Sequence, residues 1–162
     1  MKSFQHIKGF ILIFILSSIC TLAHAQVTYN ITQEDALKVM LAAKEKAEKD
    51  NVLVNIAVVD AGANLKAFLR MDESYLGSID VAVKKAKTAR YFNIATGDLG
   101  KLTQPGGIIY NIEVSNDGLI SFPGGVPIKN DDGEIIGAIG VSGGTIEQDH
   151  EIATTGALAA IE

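Results

Sequence analysis

The stretch that decides the fold covers residues 118–149 and reads GLISFPGGVPIKNDDGEIIGAIGVSGGTIEQD. Its polar, glycine-ended turn at 131–133 (DDG) is typical of a hairpin. The apolar run at 134–141 that follows this turn predicts a buried strand. Before the turn, the segments 119–122 and 127–129 predict two shorter strands that are separated by a glycine pair. The stretch therefore predicts a large part of an antiparallel sheet.

Glycines recur within this stretch, and they could serve either close packing or phosphate binding. Gly137, Gly140 and Gly143 are spaced by three, which is not the GxGxxG pattern, and no Lys-Ser/Thr pair follows them. Glycines for close packing and turning are therefore favoured over a nucleotide site. Thr145 and Gln148 have the spacing of a capping box, so a helix is predicted to begin directly after the glycine-rich loop.

The amino-terminal region has the pattern of an export signal. Two lysines precede an apolar run at 10–16, and Ala-His-Ala at 23–25 supplies the small-x-small pattern of a signal-peptidase site. This pattern predicts a signal peptide over residues 1–25 and one domain over residues 26–162. The apolar run is too short for a spanning helix, so no stable membrane span is expected after cleavage.

Cleavage after residue 25 would change the chemistry that the chain can perform. It removes the only cysteine, Cys20, and two of the three histidines, so that His150 remains as the only histidine. A disulfide, a thiolate nucleophile and a cysteine-based metal site are thereby excluded for the mature protein. Two lysines leave with the signal, and the remaining 12 basic residues face 19 acidic ones, a formal charge of −7. Such an acidic surface disfavours nucleic acid as a partner.

Helical and strand patterns alternate along the rest of the sequence. The predicted elements are helices near 32–50, at 78–92 and at 145–161, and a hairpin of strands at 52–59 and 65–69. The segment 96–107 is rich in glycine and predicts an irregular connection with no more than one helical turn. The segment 108–114 stays open between a strand and a short buried helix, because seven residues are too few for periodicity to decide.

The predicted helix at 78–92 combines a narrow stripe of small residues with a group of basic ones. Lys84, Lys85, Lys87 and, near the edge, Arg90 are assigned to the side opposite the stripe. A solvated helix face is the simpler interpretation of this group. The alternative is that it receives carboxylates from a ligand or from a neighbouring subunit.

Several motifs together resemble the GlcG/HbpS family. They are DAGANLKAFLRMDESYLGSIDVAVKKAKTA at 60–89, PGG at 105–107, FPGGVPI at 122–128, DGEIIGAIGVSGG at 132–144 and EQDHEIA at 147–153. The resemblance extends over nearly all of the predicted mature chain. The sequence departs from the usual pattern at Ala63 and Glu73, where many relatives carry glycine.

This resemblance implies a fold and a ligand. The fold is a three-layer α/β (α+β) domain in which helices cover a single antiparallel sheet of about five strands. Members of the family assemble into dimers and larger rings, so a homo-oligomer is expected. The family also implies binding of haem or a related tetrapyrrole, often between subunits, and haem degradation has been proposed for some members.

A haem site needs an apolar slot, an axial ligand to the metal, and cations or amides for the propionates. The family motifs do not fix the axial ligand, so the candidates follow from chemistry alone. His150 is the candidate ligand to the metal, because imidazole is a common haem ligand. The candidates for binding the propionates are Arg70, Lys84, Lys87, Arg90 and the amides of Gly143 and Gly144. The alternative ligands, for which packing is the simpler role, are Met40, Met71, Tyr75, Tyr91 and Tyr110.

Two functions from different classes remain open after this comparison. The first is an exported haem-binding protein that sequesters or senses haem or iron, with another envelope protein as a further candidate partner. The second is an enzyme of small-molecule metabolism that uses the glycine loops as an anion-binding pocket. No nucleophile elbow or acid-base pair supports catalysis. Binding is therefore favoured over catalysis, and the question of an enzyme stays open.

Export has a direct consequence for the isolated protein. We expect the protein recovered from its host to begin at Gln26 and to fractionate with the periplasm or the medium. Amino-terminal sequencing of the purified protein and fractionation of the cells test this. A chain that begins at Met1 and stays with the cytoplasm would contradict it.

Overall fold

The computed structural model describes residues 29–161, and the predicted signal peptide at 1–25 lies outside them. In chain order, its helices and strands are α1 (Gln33–Lys49), β1 (Asn55–Asp60), β2 (Leu65–Arg70), α2 (Ser78–Phe92), α3 (Thr96–Thr103), β3 (Gly125–Lys129), β4 (Ile135–Ser142) and α4 (Ile146–Leu158). Two short 3-10 helices cover Ile112–Val114 and Ala159–Ile161. Within residues 29–161, no helix is both long enough and apolar enough to cross a membrane.

The strands form one antiparallel sheet in the order β2-β1-β4-β3. This confirms the α+β class and the single antiparallel sheet. The described part of the chain contains four strands in that sheet, where about five were expected. The outer strand β3 contains Pro127, which lacks an N–H group, and an edge strand is where a sheet tolerates proline.

The predicted strand at 119–122 does not form. Its backbone groups bond to side chains of two helices instead of to another strand. The Ile120 amide donates to Thr88 Oγ1 at 3.1 Å, and the Phe122 carbonyl accepts from Thr96 Oγ1 at 2.7 Å. Both partners are distant in sequence, so the apolar pattern of the segment alone could not distinguish this docking from a strand.

The sheet separates two helical layers, which confirms the three-layer arrangement. Alternate residues of β1 point to opposite faces of the sheet. Ile56 and Val58 belong to the larger core, which is shared with α1 and α4. Ala57 and Val59 belong to a smaller core, which is shared with α2.

The smaller core is built from a close approach of backbones. Ala82 and Ala86 of α2 are fully buried against β4 at Gly140. A Cβ atom at position 140 would collide with the Ala82 carbonyl oxygen and would lie 2.5 Å from the Ala86 nitrogen. The helix can reach this distance from the sheet only because residue 140 is a glycine.

Side-chain caps begin the first and last helices. Thr32 accepts a hydrogen bond from the Asp35 amide at 3.1 Å and caps α1. The capping box of α4 is present as predicted, with the Gln148 amide donating to Thr145 Oγ1 at 3.3 Å and the Thr145 amide donating to Gln148 Oε1 at 3.0 Å. These bonds fix where α4 begins relative to β4.

The glycine-rich segment after α2 is more regular than the sequence predicts. Its first eight residues form α3, so the expectation of no more than one helical turn is wrong. Gly100 allows the Ser121 carbonyl oxygen to occupy the space that a Cβ would need, and Gly97 lies against Pro123 in the same way. These glycines serve packing of the helix and do not end it. The segment 108–114 is neither strand nor buried helix, but turns followed by the 3-10 helix Ile112–Val114.

Two residues at which the sequence departs from the expected pattern have a strained backbone. Ala63 has φ +61° and Glu73 has φ +63°, both in the left-handed region that favours glycine. A glycine would adopt these conformations without strain. This chain accommodates two residues with side chains there, at a cost on the order of 1 kcal/mol each.

The contact between α2 and the sheet generates a stability prediction. We expect Gly140→Ala to lower the free energy of unfolding by about 1–3 kcal/mol, because the added methyl group has to push helix and sheet apart. Gly77→Ala is the matched control, since φ is −61° and no atom lies within 4 Å of an added Cβ. Urea unfolding of both variants checks this. Equal losses for the two variants would contradict the role of the close approach.

Candidate functional site

A buried ion pair connects the helices that lie on opposite faces of the sheet. Lys85 of α2 donates from Nζ to Asp149 Oδ2 of α4 at 2.7 Å and to the Val141 carbonyl oxygen at 2.9 Å. The two side chains are 0% and 4% exposed. The ring of Phe122 covers the ammonium group, with its centroid 4.7 Å from Nζ. We call this contact the Lys85 pair.

The surrounding loops are shaped by the same pair. A Cβ at Gly124 would lie 2.5 Å from Lys85 Nζ, so residue 124 has to be a glycine for the lysine to pass. The second oxygen of Asp149, Oδ1, accepts the Gly144 amide at 2.9 Å. The carboxylate therefore ties the glycine loop after β4 to the first turn of α4.

Burial dominates the protonation chemistry of this pair. Removal from water lowers the pKa of Lys85 and raises the pKa of Asp149, and the attraction between the two groups opposes both shifts. A buried pair of this kind contributes little net stability, but the loss of one partner alone leaves the other charge buried and uncompensated.

The assignment of Lys85 to a solvated helix face is wrong. The sequence does carry a signal for its burial, because position 85 lies three residues after Ala82 and four before Ala89. Both alanines belong to the buried stripe of α2, so position 85 falls within that stripe. Asp149 was not identified from the sequence as the partner of this lysine, because the two residues are 64 positions apart in the chain.

A cleft lies next to the pair, on the outer side of the first turn of α4. It has a volume of about 410 Å³, and we call it the His150 cleft. Its lining residues are Ala95, Gly97, Asp98, Lys101, Pro123, Ile146, Glu147, His150 and Glu151. Because His150 directly follows Asp149, the buried carboxylate anchors the helical turn from which the imidazole projects.

The imidazole of His150 has an unused hydrogen-bonding group. Its Nδ1 is shielded from solvent and has no partner among the described residues. With Nδ1 shielded, Nε2 is the ring nitrogen left to face a ligand in the cleft.

The charges around His150 are mixed. Asp98 forms an ion pair with Lys101 at 2.7 Å, and this lysine, with a smaller contribution from His150, holds the pKa of Asp98 below its usual value. Glu147 and Glu151 add two exposed carboxylates. Within residues 29–161, however, no three His, Cys, Asp or Glu side chains converge well enough to hold a bare metal ion. The cleft therefore suits a ligand that needs one nitrogen donor more than it suits an ion that needs several.

The volume and the lining of the cleft are compatible with a haem group. Its volume falls within the range of about 300–1,000 Å³ that is usual for cofactor and ligand sites. Ala95, Pro123 and Ile146 provide apolar surface, and His150 provides a nitrogen donor without a competing partner among the described residues. Lys101 provides the only cation in the lining. The donor set thus fits a metal that is already held within an organic macrocycle.

The other predicted site residues do not lie in the His150 cleft. Arg70 lines a separate cleft at the end of β2, and Lys84 and Lys87 line a small cavity beside α2. The Arg90 guanidinium donates to Asn93 Oδ1 at 2.6 Å. The structure therefore distributes the predicted cations over several surfaces and does not gather them around one ligand.

Gly143 and Gly144 line a further cleft, between the end of β4 and residues 73–75. The amides at this helix start bond to the protein itself, since Gly144, Thr145 and Gln148 donate to side chains of the same turn. An anion would have to displace these side chains to reach those amides.

The alternative ligands also lie outside the His150 cleft. Met40 is a core residue, 7% exposed, and Met71 packs against the same core. Tyr75, Tyr91 and Tyr110 are exposed side chains. None of these five lines the cleft, so they serve as useful comparisons for His150.

The Lys85 pair generates a prediction with an internal control. We expect Lys85→Met to lower the free energy of unfolding by about 3–5 kcal/mol, because it leaves Asp149 buried without its partner. Lys84→Met removes the neighbouring lysine, whose ion pair with Asp80 is partly exposed, and should cost less than about 1 kcal/mol. Denaturant unfolding of the two variants measures the difference. A loss for Lys85→Met as small as that for Lys84→Met would contradict the role of the pair.

Sequence and structure comparisons place this geometry among known proteins. The profile of the family described as "Haem degrading protein HbpS-like" matches residues 31–158. The corrinoid adenosyltransferase PduO of Salmonella typhimurium is 40% identical over 121 residues, which cover 74% of this chain but 35% of PduO. The crystal structure of Klebsiella pneumoniae protein ORFY superimposes with a TM-score of 0.81 at 34% identity, covering 86% of this chain and 96% of that one.

A crystal structure described as a PduOC:haem complex is also similar. It superimposes with a TM-score of 0.76 at 36% identity, covering 80% of this chain and 94% of that chain. The family profile extends over almost the whole described region, and the two crystal structures share the fold at 34% and 36% identity. The chain belongs to the HbpS-like family, which is the GlcG/HbpS family that its motifs resemble.

Proposed function

We propose that this protein is an exported haem-binding protein and that the His150 cleft is its haem site. The observation that carries the proposal is that His150 lines a partly apolar cleft of cofactor size, where Nε2 is the ring nitrogen left for a ligand. A relative of the same fold has been crystallised with haem, which supports the choice of ligand.

The residues of the cleft have distinct roles in this proposal. His150 would hold the metal through Nε2, from a helical turn that the buried carboxylate of Asp149 anchors. Lys101 would bind a propionate, for which it has to exchange its ion pair with Asp98. That pair is exposed to solvent and therefore costs little to break. When bound, haem supplies an iron centre that binds small ligands and changes oxidation state.

Apolar side chains around the cleft are exposed, which favours a cleft that is covered by a second copy of the chain. Ile146 is 45% exposed and Phe122, which covers Lys85, is 43% exposed. One open cleft leaves much of a haem in contact with water, whereas ligand sites usually bury most of their ligand. The proposal therefore includes at least a dimer, in which a second copy covers the remaining face of the haem. In the cell, the proposed role is to sequester or sense haem, with another protein of the envelope as partner.

The alternative function, an enzyme that binds a small anion at the glycine loop, receives less support. The amides of the glycine loop and the helix start donate to Asp149, Thr145 and Gln148 of the chain itself. The adenosyltransferase activity named for PduO belongs to a protein of which this chain spans 35%, so that name does not favour the same activity here.

The test is a haem titration of the mature protein, followed by absorbance. We expect a Soret shift that saturates near one equivalent per subunit or per dimer, and light scattering on the same sample should give a mass above that of the monomer. His150→Ala should remove the low-spin component of the spectrum and weaken binding by about tenfold or more, which corresponds to roughly 1.4 kcal/mol.

Matched control variants distinguish a wrong assignment of the haem site from a wrong assignment of the function. Tyr75→Phe and Tyr110→Phe alter exposed side chains outside the cleft and should leave the spectrum and the affinity unchanged. Wild-type protein without a saturable Soret shift would overturn the proposed function. If His150→Ala keeps a normal Soret shift and a tyrosine variant loses it, the protein binds haem but His150 is not its ligand.

A further inference from the structure

A second cavity lies beside α2, on a different part of the surface from the His150 cleft. It has a volume of about 120 Å³. Its lining residues are Asp80, Val83, Lys84, Lys87, Tyr91, Asn116, Asp117, Gly118 and Leu119. It shares no lining residue with the His150 cleft and is far smaller than the roughly 300 Å³ at which cofactor sites begin. A macrocycle does not fit there, but a small polar molecule does.

The positive charges of this cavity lie deeper than the negative ones. The Lys84 side chain is 34% exposed and pairs at 2.8 Å with Asp80, which is 68% exposed. Lys87 is half-buried and has no carboxylate within 4.0 Å among the described residues, while Asp117 is exposed. Water screens the outer carboxylates more than the inner ammonium groups, so the interior of the cavity favours an anion.

The loop opposite the lysines adds backbone donors. Asn116, Asp117 and Gly118 are three successive residues in the left-handed conformation, with φ values of +51°, +58° and +95°. The Gly118 amide donates to the Ser115 carbonyl at 2.9 Å. The amides of Asn116 and Asp117 donate to no acceptor among the described residues. Successive free amides in a turn are a known means of binding anions.

The cavity is formed before any ligand arrives. Leu119 is 5% exposed, and the following Ile120 amide donates to Thr88 Oγ1 at 3.1 Å, which fixes the loop to α2. At Gly118 an added Cβ would lie 3.4 Å from Lys84 Nζ, so the turn closes tightly over the ammonium group. A preformed site loses less free energy on binding than one that has to be ordered.

We propose that this cavity binds a small oxyanion, a carboxylate or a phosphate, between Lys84, Lys87 and the turn at 116–118. The anion accepts charge-assisted hydrogen bonds from the two ammonium groups and hydrogen bonds from the free amides. Asp117 is the one nearby carboxylate without an ion pair among the described residues, and it limits the affinity by repulsion. The site is independent of haem, because its lining residues and its size differ from those of the cleft.

The experiment is calorimetric titration of the mature protein at low ionic strength with oxalate and, separately, with inorganic phosphate. We expect saturable binding of at least one of them, and the tighter of the two identifies the chemical class. Lys87→Gln should weaken that binding by about tenfold, the effect of one charge-assisted contact. Asp117→Asn should strengthen it, because the repelling carboxylate is gone.

Lys66→Gln is the matched control, since Lys66 is an exposed lysine of β2 outside the cavity, and it should leave binding unchanged. Three results would overturn the proposal. These are no saturable binding of either anion, binding that is equally strong in Lys87→Gln, and a Lys87→Gln variant whose light-scattering mass falls while anion binding persists. The last result would mean that the cavity receives a side chain from a second copy of the chain.

Discussion

The Lys85 pair is the contact on which the rest of the arrangement depends. Helices α2 and α4 lie on opposite faces of the sheet, and the pair joins them where β3 begins and β4 ends. Placing an ammonium and a carboxylate out of water costs several kcal/mol, and the carbonyl of Val141 and the ring of Phe122 offset part of that cost. The charge therefore restricts the loops around it to conformations that supply those partners.

The location of the His150 cleft follows from this contact. Asp149 binds Lys85 through one oxygen and the Gly144 amide through the other, while Thr145 and Gln148 complete the capping box. The first turn of α4 is thus held at both its backbone and its side chains. His150 is the next residue in this turn, so its imidazole is carried on a rigid element although it reaches an open surface.

The layers of the fold were expected from the family resemblance, whereas the start of the last helix was predictable from local spacing. The small residues on α2 and the Thr145 capping box both follow from residues that are close together in the chain. The segment 119–122 could not be predicted from such patterns, since its backbone partners are Thr88 and Thr96. Tertiary hydrogen bonds decided its conformation.

The candidate site was less accessible to sequence reasoning than the fold. His150 could be singled out by elimination, but no local pattern shows that Asp98 and Lys101 of α3 lie across the cleft from it. The predicted cations were chosen for their charge alone, and the structure places Lys84 and Lys87 in the cavity beside α2 and Arg70 in a separate cleft at the end of β2. The helical spacing alone predicts that Lys85 is buried, because it falls within the buried stripe of α2. Lysine is so seldom fully buried that its charge instead favoured a solvated position.

Pro127 in the outer strand β3 restricts how copies of the chain can join. A proline in an edge strand faces its nitrogen outward, because an inward nitrogen would cost a bond to β4. A strand from another molecule that approached this edge would find one donor missing from the ladder. Growth of a continuous intermolecular sheet, the arrangement from which fibrils begin, is therefore disfavoured at the β3 edge.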